Sequence, residues 1–421
     1  MARRALRPRQ PPLRPARGMA LSGLRVADFT WAWAGPYATT MLADFGAEVI
    51  NVEAWPRTSN MRSQPPFKGG AVSIPNGSGW WSTNQRNKLS CTLDLKRPEG
   101  LALAKRLVAI SDVAIENFAP GVLERLGLGY EELRRVRPDI ILVSMSGFGG
   151  SGPHSSYVAY GNHLAMAAGL AHISGFPGGN PAQVTIPYGD PIGGLTGALA
   201  ALAALQHRTV TGQGQYIDVS QHEALASLVP EPLLDYALNG RVMGRRGNRD
   251  DDLAPHGCYP CKEENTWVTI AAASDGEWLA LCRALGDPEW ARDSRFEDSH
   301  GRWLASVELD ARLEEWTRPR TAEEAATLLQ QHGVAAAPSH SGASILADPH
   351  LRARRFFVRD ESPEVAGKLM QGPAWKMSAT PGRVRRGAPL LGRDNDYVLR
   401  RLLGLSAREI AALREEKVVL A

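Results

Sequence analysis

The chain has 421 residues, 43% hydrophobic and 22% charged, with a formal net charge of +4 at pH 7. That balance describes a globular chain with ample core and two or more domains, and it excludes a low-complexity or disordered one. No basic stripe interleaved with aromatics argues for nucleic acid, and no apolar run is long enough for a membrane span.

Residues 1–20 carry Arg3, Arg4, Arg7, Arg9, Arg14 and Arg17 with no acid, and their prolines oppose a helix. A disordered extension is expected there, or a start assigned too early, with Met19 as the true one. A mitochondrial transit peptide would be amphipathic and Ser-rich, which this segment is not. Leu24–Phe29 reads as a strand, Thr30–Gly35 as a loop, Pro36 to about Gly46 as a helix and Glu48–Glu53 as a second strand. This βαβ pattern predicts a parallel sheet. An acid ends the second strand, as in dinucleotide folds, but two tryptophans replace the glycine fingerprint of the first turn.

Residues 54–83 read as a long loop. Asn84–Asp94 leads into a strand, Pro98–Ile110 is a helix, and Asp112–Glu116 is a strand ending in Asn117-Phe-Ala-Pro-Gly121. Val122–Leu126 is a short helix, and Asp139–Met145 is a strand running into Ser146-Gly-Phe-Gly-Gly-Ser-Gly-Pro153. The alternation predicts a doubly wound α/β domain. Gly147, Gly149 and Gly152 spell G-x-G-x-x-G, but Pro153 follows and no acid lies about twenty residues on, so a nicotinamide or flavin site is not expected.

Tyr157–Gly175 reads as a helix. The stretch Val184–Leu205 then places Asp190 and Pro191 at a loop-to-helix junction. Proline suits a first helical position, and aspartate is a preferred cap before it. Leu195, Leu199, Leu202 and Leu205 share one side of the helix. The remaining alanines and glycines permit close approach to neighbours, as in a buried helix. Two readings of Asp190 follow: a helix cap, or a nucleophile. A carboxylate with a pKa near 3.9 is ionised at neutrality, and a helix N-terminus favours its charge. Gly212–Ser220 reads as a turn and strand, and Gln221–Leu238 as a helix broken at Pro230 and Pro232. Residues 241–255 form a charged loop that suits a domain boundary or a lid. Residues 256–337 read as a smaller α/β unit and 338–421 as strands and loops with a last helix at Ala407–Glu416. Cys91, Cys258, Cys261 and Cys282 are too few for a disulfide scaffold and suit a reducing compartment. Cys258-Tyr-Pro-Cys261 lacks a second ligand pair, so no metal is expected.

The motifs in series are Gly23-Leu-Arg-Val-Ala-Asp-Phe-Thr, Ala34-Gly-Pro36, Asp44-Phe-Gly-Ala-Glu-Val-Ile, Asn87-Lys88, Leu93-Asp-Leu, Glu116-Asn-Phe-Ala-Pro-Gly, Ser146-Gly-Phe-Gly, Gly152-Pro153, Gly189-Asp190, Thr211-Gly-Gln-Gly-Gln and Ala388-Pro-Leu-Leu-Gly. In order and spacing, from about Leu21 onward, they resemble the family III CoA-transferases. That family includes formyl-CoA and carnitine-type enzymes and has α-methylacyl-CoA racemase as a relative. The resemblance implies that Asp190 is the nucleophile of a covalent aspartyl route from an acyl-CoA to an acceptor carboxylic acid. Coenzyme A is then a substrate, with no tightly bound cofactor and no metal. It implies coenzyme contacts at Trp33, Ala34, Arg57, Lys88, Asn117, Phe118 and Arg125. Amides near Gly149 and Gly193 are candidates for the oxyanion. The implied architecture is a large Rossmann-like domain from residues 21–225 and 340–421, with linkers and a small α/β domain in 226–339. The implied assembly is an interlocked homodimer in the cytoplasm, or in the mitochondrial matrix if residues 1–18 are a transit peptide.

Two departures stand out. Trp31 and Trp33 replace polar residues of the formyl-CoA enzyme, and Ser146 replaces a lysine, which points to a bulkier or more apolar acyl group. Two further readings accompany the first. One is racemase-like proton transfer using Asp190 with His163, although Tyr160 stands where racemases need a histidine. The other is non-catalytic CoA binding.

Overall fold

The computed structural model describes residues 18–54, 58–67, 76–183, 185–362 and 367–420. Residues 1–17 and Arg57 lie outside the described residues, and so do the expectations placed on them. The chain divides into two compact units. One comprises residues up to Leu170, Gln183–Gly240 and the chain from His350 on; the other comprises Ala171–Ala182 and Arg241–Pro349.

The first unit is built on six strands: β1 (Arg25–Asp28), β2 (Glu48–Ala54), β3 (Leu89–Leu93), β4 (Val113–Glu116), β5 (Ile141–Ser146) and β6 (Tyr216–Ser220). All pairs are parallel, and the spatial order is β3-β2-β1-β4-β5-β6. Strands β4 and β5 are buried along their whole length because helices cover both faces, whereas the edge strand β6 is buried only over Val219 and Ser220. Helices α1 (Ala34–Asp44), α2 (Gly79–Gln85), α3 (Pro98–Ala109), α4 (Val122–Arg125), α5 (Tyr130–Val136), α6 (Gly161–Ala167) and α8 (Gly189–Thr211) belong with them, and the short α7 (Leu170–Ile173) falls almost wholly in the segment Ala171–Ala182 of the other unit. On one face Val26, Val49, Val113, Ile141 and Val143 pack with Ala38 and Leu42 of α1 and Ala198, Ala201 and Ala204 of α8. On the other, Ala27, Ile50 and Leu142 pack with Leu103 and Leu107 of α3 and Ile410 near the C-terminus. Strand order reverses between β1 and β4. In open parallel sheets, ligands bind beyond the C-terminal ends of the strands at such a switch point.

Several elements differ from expectation. The long loop at 54–83 contains α2, whose start is capped by the Ser78 hydroxyl accepting the Trp81 amide. The helix expected over 157–175 is two short ones, parted at Gly169 with φ 90°. Helix α8 runs for 23 residues. Its end is set by Gly212 at φ 72°, so β6 begins only at Tyr216. The buried side of α8 is Gly193, Gly194, Gly197, Ala198, Ala201 and Ala204. The leucine side faces out: Leu195, Leu199 and Leu202 are 42%, 69% and 40% exposed. Small residues won the core because the helix lies too close to its neighbours for anything larger. A Cβ on Gly197 would stand 2.5 Å from the Met145 sulfur. Helices α9 (Gln221–Ala226) and α10 (Pro230–Asn239) follow, divided near Pro230 as the prolines dictate.

A buried ion pair ties the segment before α2 to the end of β2. Arg62 is 3% exposed, donates to both Glu53 oxygens at 2.7 and 2.6 Å, and lies 3.6 Å over the Trp81 ring. Arg62→Ala leaves a carboxylate buried without its partner. Urea unfolding is expected to show a loss of about 3–5 kcal/mol, whereas a loss under ~1 kcal/mol would mean that water replaces the guanidinium.

The second unit carries an antiparallel sheet of β7 (His256–Pro260), β8 (Trp267–Ala271) and β9 (Ala335–Pro338). Helices α11 (Asp275–Ala284), α12 (Ser299–Leu304), α13 (Ser306–Thr317) and α14 (Ala322–Gln331) accompany it. Its core gathers Val268, Ile270, Trp278, Phe296, Leu309, Leu313 and Leu329. The thiols of Cys258, Cys261 and Cys282 are free.

Candidate active site

Helix α8 begins at Gly189, with Tyr188 before it in the cap position and making no side-chain bond. Asp190 is therefore the second residue of the helix and does not cap it, which corrects the first reading of this position. Its carboxylate instead lies against the backbone amides of Ala34 and Gly161, which favour its charged form. Ala34 opens α1 and Gly161 opens α6. Three helix N-termini thus converge on one carboxylate, each contributing partial positive charge and two of them a free amide.

Glycines make the convergence possible. A Cβ on Gly194 would lie 2.7 Å from the Ala34 carbonyl oxygen, so α1 and α8 meet backbone to backbone. A Cβ on Gly161 would lie 2.2 Å from Asp190 Oδ2, and one on Gly189 would lie 2.8 Å from Gly161 Cα. Burial pushes the Asp190 carboxyl up to about 6, while the Ala34 and Gly161 amides pull it back down. At neutral pH the group is still mainly ionised, but it is far more basic than an ordinary aspartate.

Of the amides expected to meet an oxyanion, Gly193 is the fifth residue of α8, where its N–H belongs to the helix ladder. Its Cα faces Gln221. Beside Gly149, the Gly150 amide is engaged with both Asp218 oxygens at 2.9 Å. Sequence reasoning missed Gly161. The available signal was a glycine directly after Tyr160, within a stretch read as one continuous helix.

The loops beyond β1 and β4 meet at the switch point. The Asn117 side chain accepts the Trp31 amide and donates to the Trp31 carbonyl, both at 2.9 Å. The Phe118 ring stands 6.3 Å from the Trp31 ring, and Arg125 is exposed at the end of α4. Trp33 packs against Trp80 at 4.5 Å and donates from its indole to Asn84 at 3.1 Å. Trp33, Ala34, Asn117 and Phe118 are thus gathered at one end of the sheet. Lys88 is not with them: it is fully buried, with its ammonium on Asp28 at 3.2 Å and Thr39 at 2.7 Å. No face of Lys88 is open to a phosphate. Glu116, at the end of β4, is pushed up to about 7 by burial and accepts the Phe118 amide at 2.6 Å. On α6, the Tyr160 amide donates to His163 Nδ1 at 3.3 Å, and His163 is exposed. Among the described residues, no group of three or more His, Cys, Asp or Glu side chains could hold a metal ion. No described helix is long and apolar enough to cross a membrane.

A family model described as CoA-transferase family III matches residues 21–395. The chain is 36% identical to a succinyl-CoA–D-citramalate CoA-transferase of Chloroflexus aurantiacus, covering 95% of this chain and 98% of that protein. It is 33% identical to a succinate–glutarate CoA-transferase of Agrobacterium fabrum, covering 92% and 97%. Among solved structures, a CAIB/BAIF family protein from Brucella suis superposes with a TM-score of 0.83 at 29% identity, covering 92% of this chain and 100% of that one.

Proposed function

The chain belongs to the family III CoA-transferases, and we propose that it moves CoA between two carboxylic acids through covalent intermediates on Asp190. The observation that carries this reading is the partly buried carboxylate set against two backbone amides at the meeting of three helix ends. In the first step an Asp190 oxygen attacks the thioester carbonyl of the donor. A C–O bond forms, the C–S bond breaks, and CoA leaves as thiolate, giving a mixed anhydride. The thiolate then attacks the Asp190 carbonyl carbon, releases the donor as its carboxylate, and leaves an aspartyl-CoA thioester. The acceptor carboxylate enters, and the two steps run backwards. No proton need be supplied, and one thioester is exchanged for another, so neither ATP nor a metal is required.

When the thiolate attacks, negative charge develops on the aspartyl oxygen. The Ala34 and Gly161 amides that hold the carboxylate at rest are then the donors that hold this oxyanion. The raised basicity of Asp190 favours attack, because a more basic carboxylate is a better nucleophile and enough of it is ionised at pH 7.

Asn117, Phe118, Trp33, Ala34 and exposed Arg125 are proposed to receive the coenzyme at the switch point, with Arg125 meeting phosphate. Lys88 is left out of that set because it is enclosed. The relatives' names point to short dicarboxylic acids, which are the first donors and acceptors to screen. The outward leucines of α8, together with Leu233, Leu234 and Tyr236 of α10 at 57%, 57% and 62% exposed, support a homodimer in which a second copy covers them. A cytoplasmic location is part of the same proposal.

Incubation with succinyl-CoA followed by hydroxylamine should give a hydroxamate at Asp190, read by mass spectrometry. Deuterium exchange into the acyl group without that adduct would favour proton transfer, and neither result would leave binding alone. Only the ionised carboxylate attacks, so kcat/KM for the free enzyme should fall about tenfold per unit as pH drops below Asp190's pKa of about 6. A flat profile from about pH 5 to 8 would exclude Asp190 as the nucleophile.

A further inference from the structure

The Ala34 amide reaches Asp190 from a loop that is not relaxed. Ala32 holds φ 55°, a left-handed conformation that a residue with a side chain adopts only when its surroundings impose it. From one side, the Asn117 side chain clamps Trp31 by two bonds. From beneath, Asp28 at the end of β1 takes the Thr30 amide at 3.0 Å and the Thr30 hydroxyl at 2.5 Å on one oxygen. Its other oxygen takes the Thr39 hydroxyl at 2.7 Å and the Lys88 ammonium at 3.2 Å. Lys88 also donates to the Thr39 oxygen at 2.7 Å and to the Pro36 carbonyl at 3.0 Å. One buried pair therefore grips the loop at Thr30 and helix α1 at Pro36 and Thr39, on either side of Ala34. Lys88 is itself anchored, because Asn87 before it sits at φ 63° with its amide group on Asp44 at 2.7 Å and on the Arg383 carbonyl at 2.8 Å. Burial lowers the ammonium to about 8 and Asp28 opposes that fall, so it stays charged at pH 7.

We propose that Lys88, Asp28 and Thr39 are positioning residues that set the Ala34 amide against Asp190, and that Lys88 serves catalysis through this brace instead of through the coenzyme phosphates. The proposal rests on the reading of Asp190 as nucleophile. A buried ion pair is seldom a net source of stability, so its presence under this loop calls for a role in placing something. The Ala34 bond lowers the Asp190 pKa and is proposed to receive the oxyanion. Loosening it should therefore both slow the chemistry and move the acid limb of the pH profile upward.

Thr39→Val removes the bridging hydroxyl and keeps the shape, and Thr39→Ser restores the hydroxyl. The expected result for Thr39→Val with succinyl-CoA as donor is a kcat lower by about tenfold, an unchanged KM for the thioester, and an acid limb moved upward, with Thr39→Ser returning all three toward the parent. Thr30→Val cuts the hydroxyl bond to the other Asp28 oxygen and must give the same pattern, which keeps the test decisive if Thr39→Val folds poorly. A parent-like kcat and acid limb in both valine variants overturns the proposal. So does a joint loss of kcat and rise of KM that the serine variant does not rescue. Asp190→Ala is run alongside. If it still exchanges CoA, the nucleophile reading has failed; if it is inactive while the valine variants match the parent, only the brace has.

Discussion

Asp190→Asn is expected to lose CoA transfer by about four orders of magnitude or more and to fold more stably than the parent. The loss follows because an amide cannot open a thioester and leave again as the geometry requires. The gain follows from linkage. An unfolded aspartate titrates near 3.9, and burial raises the folded one to about 6. The folded state therefore holds this proton more tightly than the unfolded chain, and ionising the group between those two values costs the fold. Above pH 6 the cost is complete, ~3 kcal/mol for two pKa units. Asparagine keeps one accepting oxygen, gives up the other, and carries no charge to desolvate. On the order of 2 kcal/mol of added stability is expected at pH 7.5, shrinking toward nothing at pH 4. Denaturant unfolding at the two pH values, beside an exchange assay, checks both halves. A variant less stable at pH 7.5 than the parent would show that the carboxylate is held by more than the Ala34 and Gly161 amides.

Gly161→Ala is expected to cost about a hundred- to a thousandfold in kcat, the range seen when one oxyanion donor is lost. The new methyl group would stand 2.2 Å from Asp190 Oδ2 and 2.8 Å from the Pro187 carbonyl oxygen. Neither neighbour is the free end of a long flexible side chain: the carboxylate is short and sits on the first turn of α8, and the carbonyl is backbone. Asp190 and the start of α6 must therefore move apart, which breaks the Gly161 bond. The KM for acyl-CoA should change little, because the coenzyme residues proposed at Asn117, Phe118 and Arg125 lie on other loops. Steady-state kinetics with the thioester varied separates the two parameters. An unchanged kcat would remove Gly161 from the mechanism.

The order of the strands across the sheet was not read, whereas the succession of strands and helices and the place of Asp190 at a helix start were legible because they rest on short-range signals. These are alternating apolar runs and helices, Asp-Pro before glycines, and helix breaks at Pro230 and Pro232. What could not be read was which neighbour each surface meets. The leucine spacing on α8 reads as a core stripe by periodicity alone, yet Gly194 and Gly197 decide the matter by admitting Ala34 and Met145 at distances no larger residue allows. The family resemblance places Lys88 among the coenzyme contacts, and only the fold shows Asp28 and Thr39 closing over its ammonium. Helix α5 and the Gly161 amide went unread because neither carries a motif of its own. One is an ordinary charged turn, and the other is a backbone group whose importance comes from a residue 29 positions away.

The convergence on Asp190 changes meaning during the proposed cycle. At rest the carboxylate satisfies the converging ends of α1, α6 and α8, and a second anion nearby would be repelled. Once the residue is esterified to CoA it is neutral, while those ends keep their unmet partial positive charge. The pocket then attracts the incoming acid that it rejected a moment before. On that proposal acceptor entry follows acylation with no moving part, and dead-end occupation by free acids should be weak before the thioester forms and strong after it.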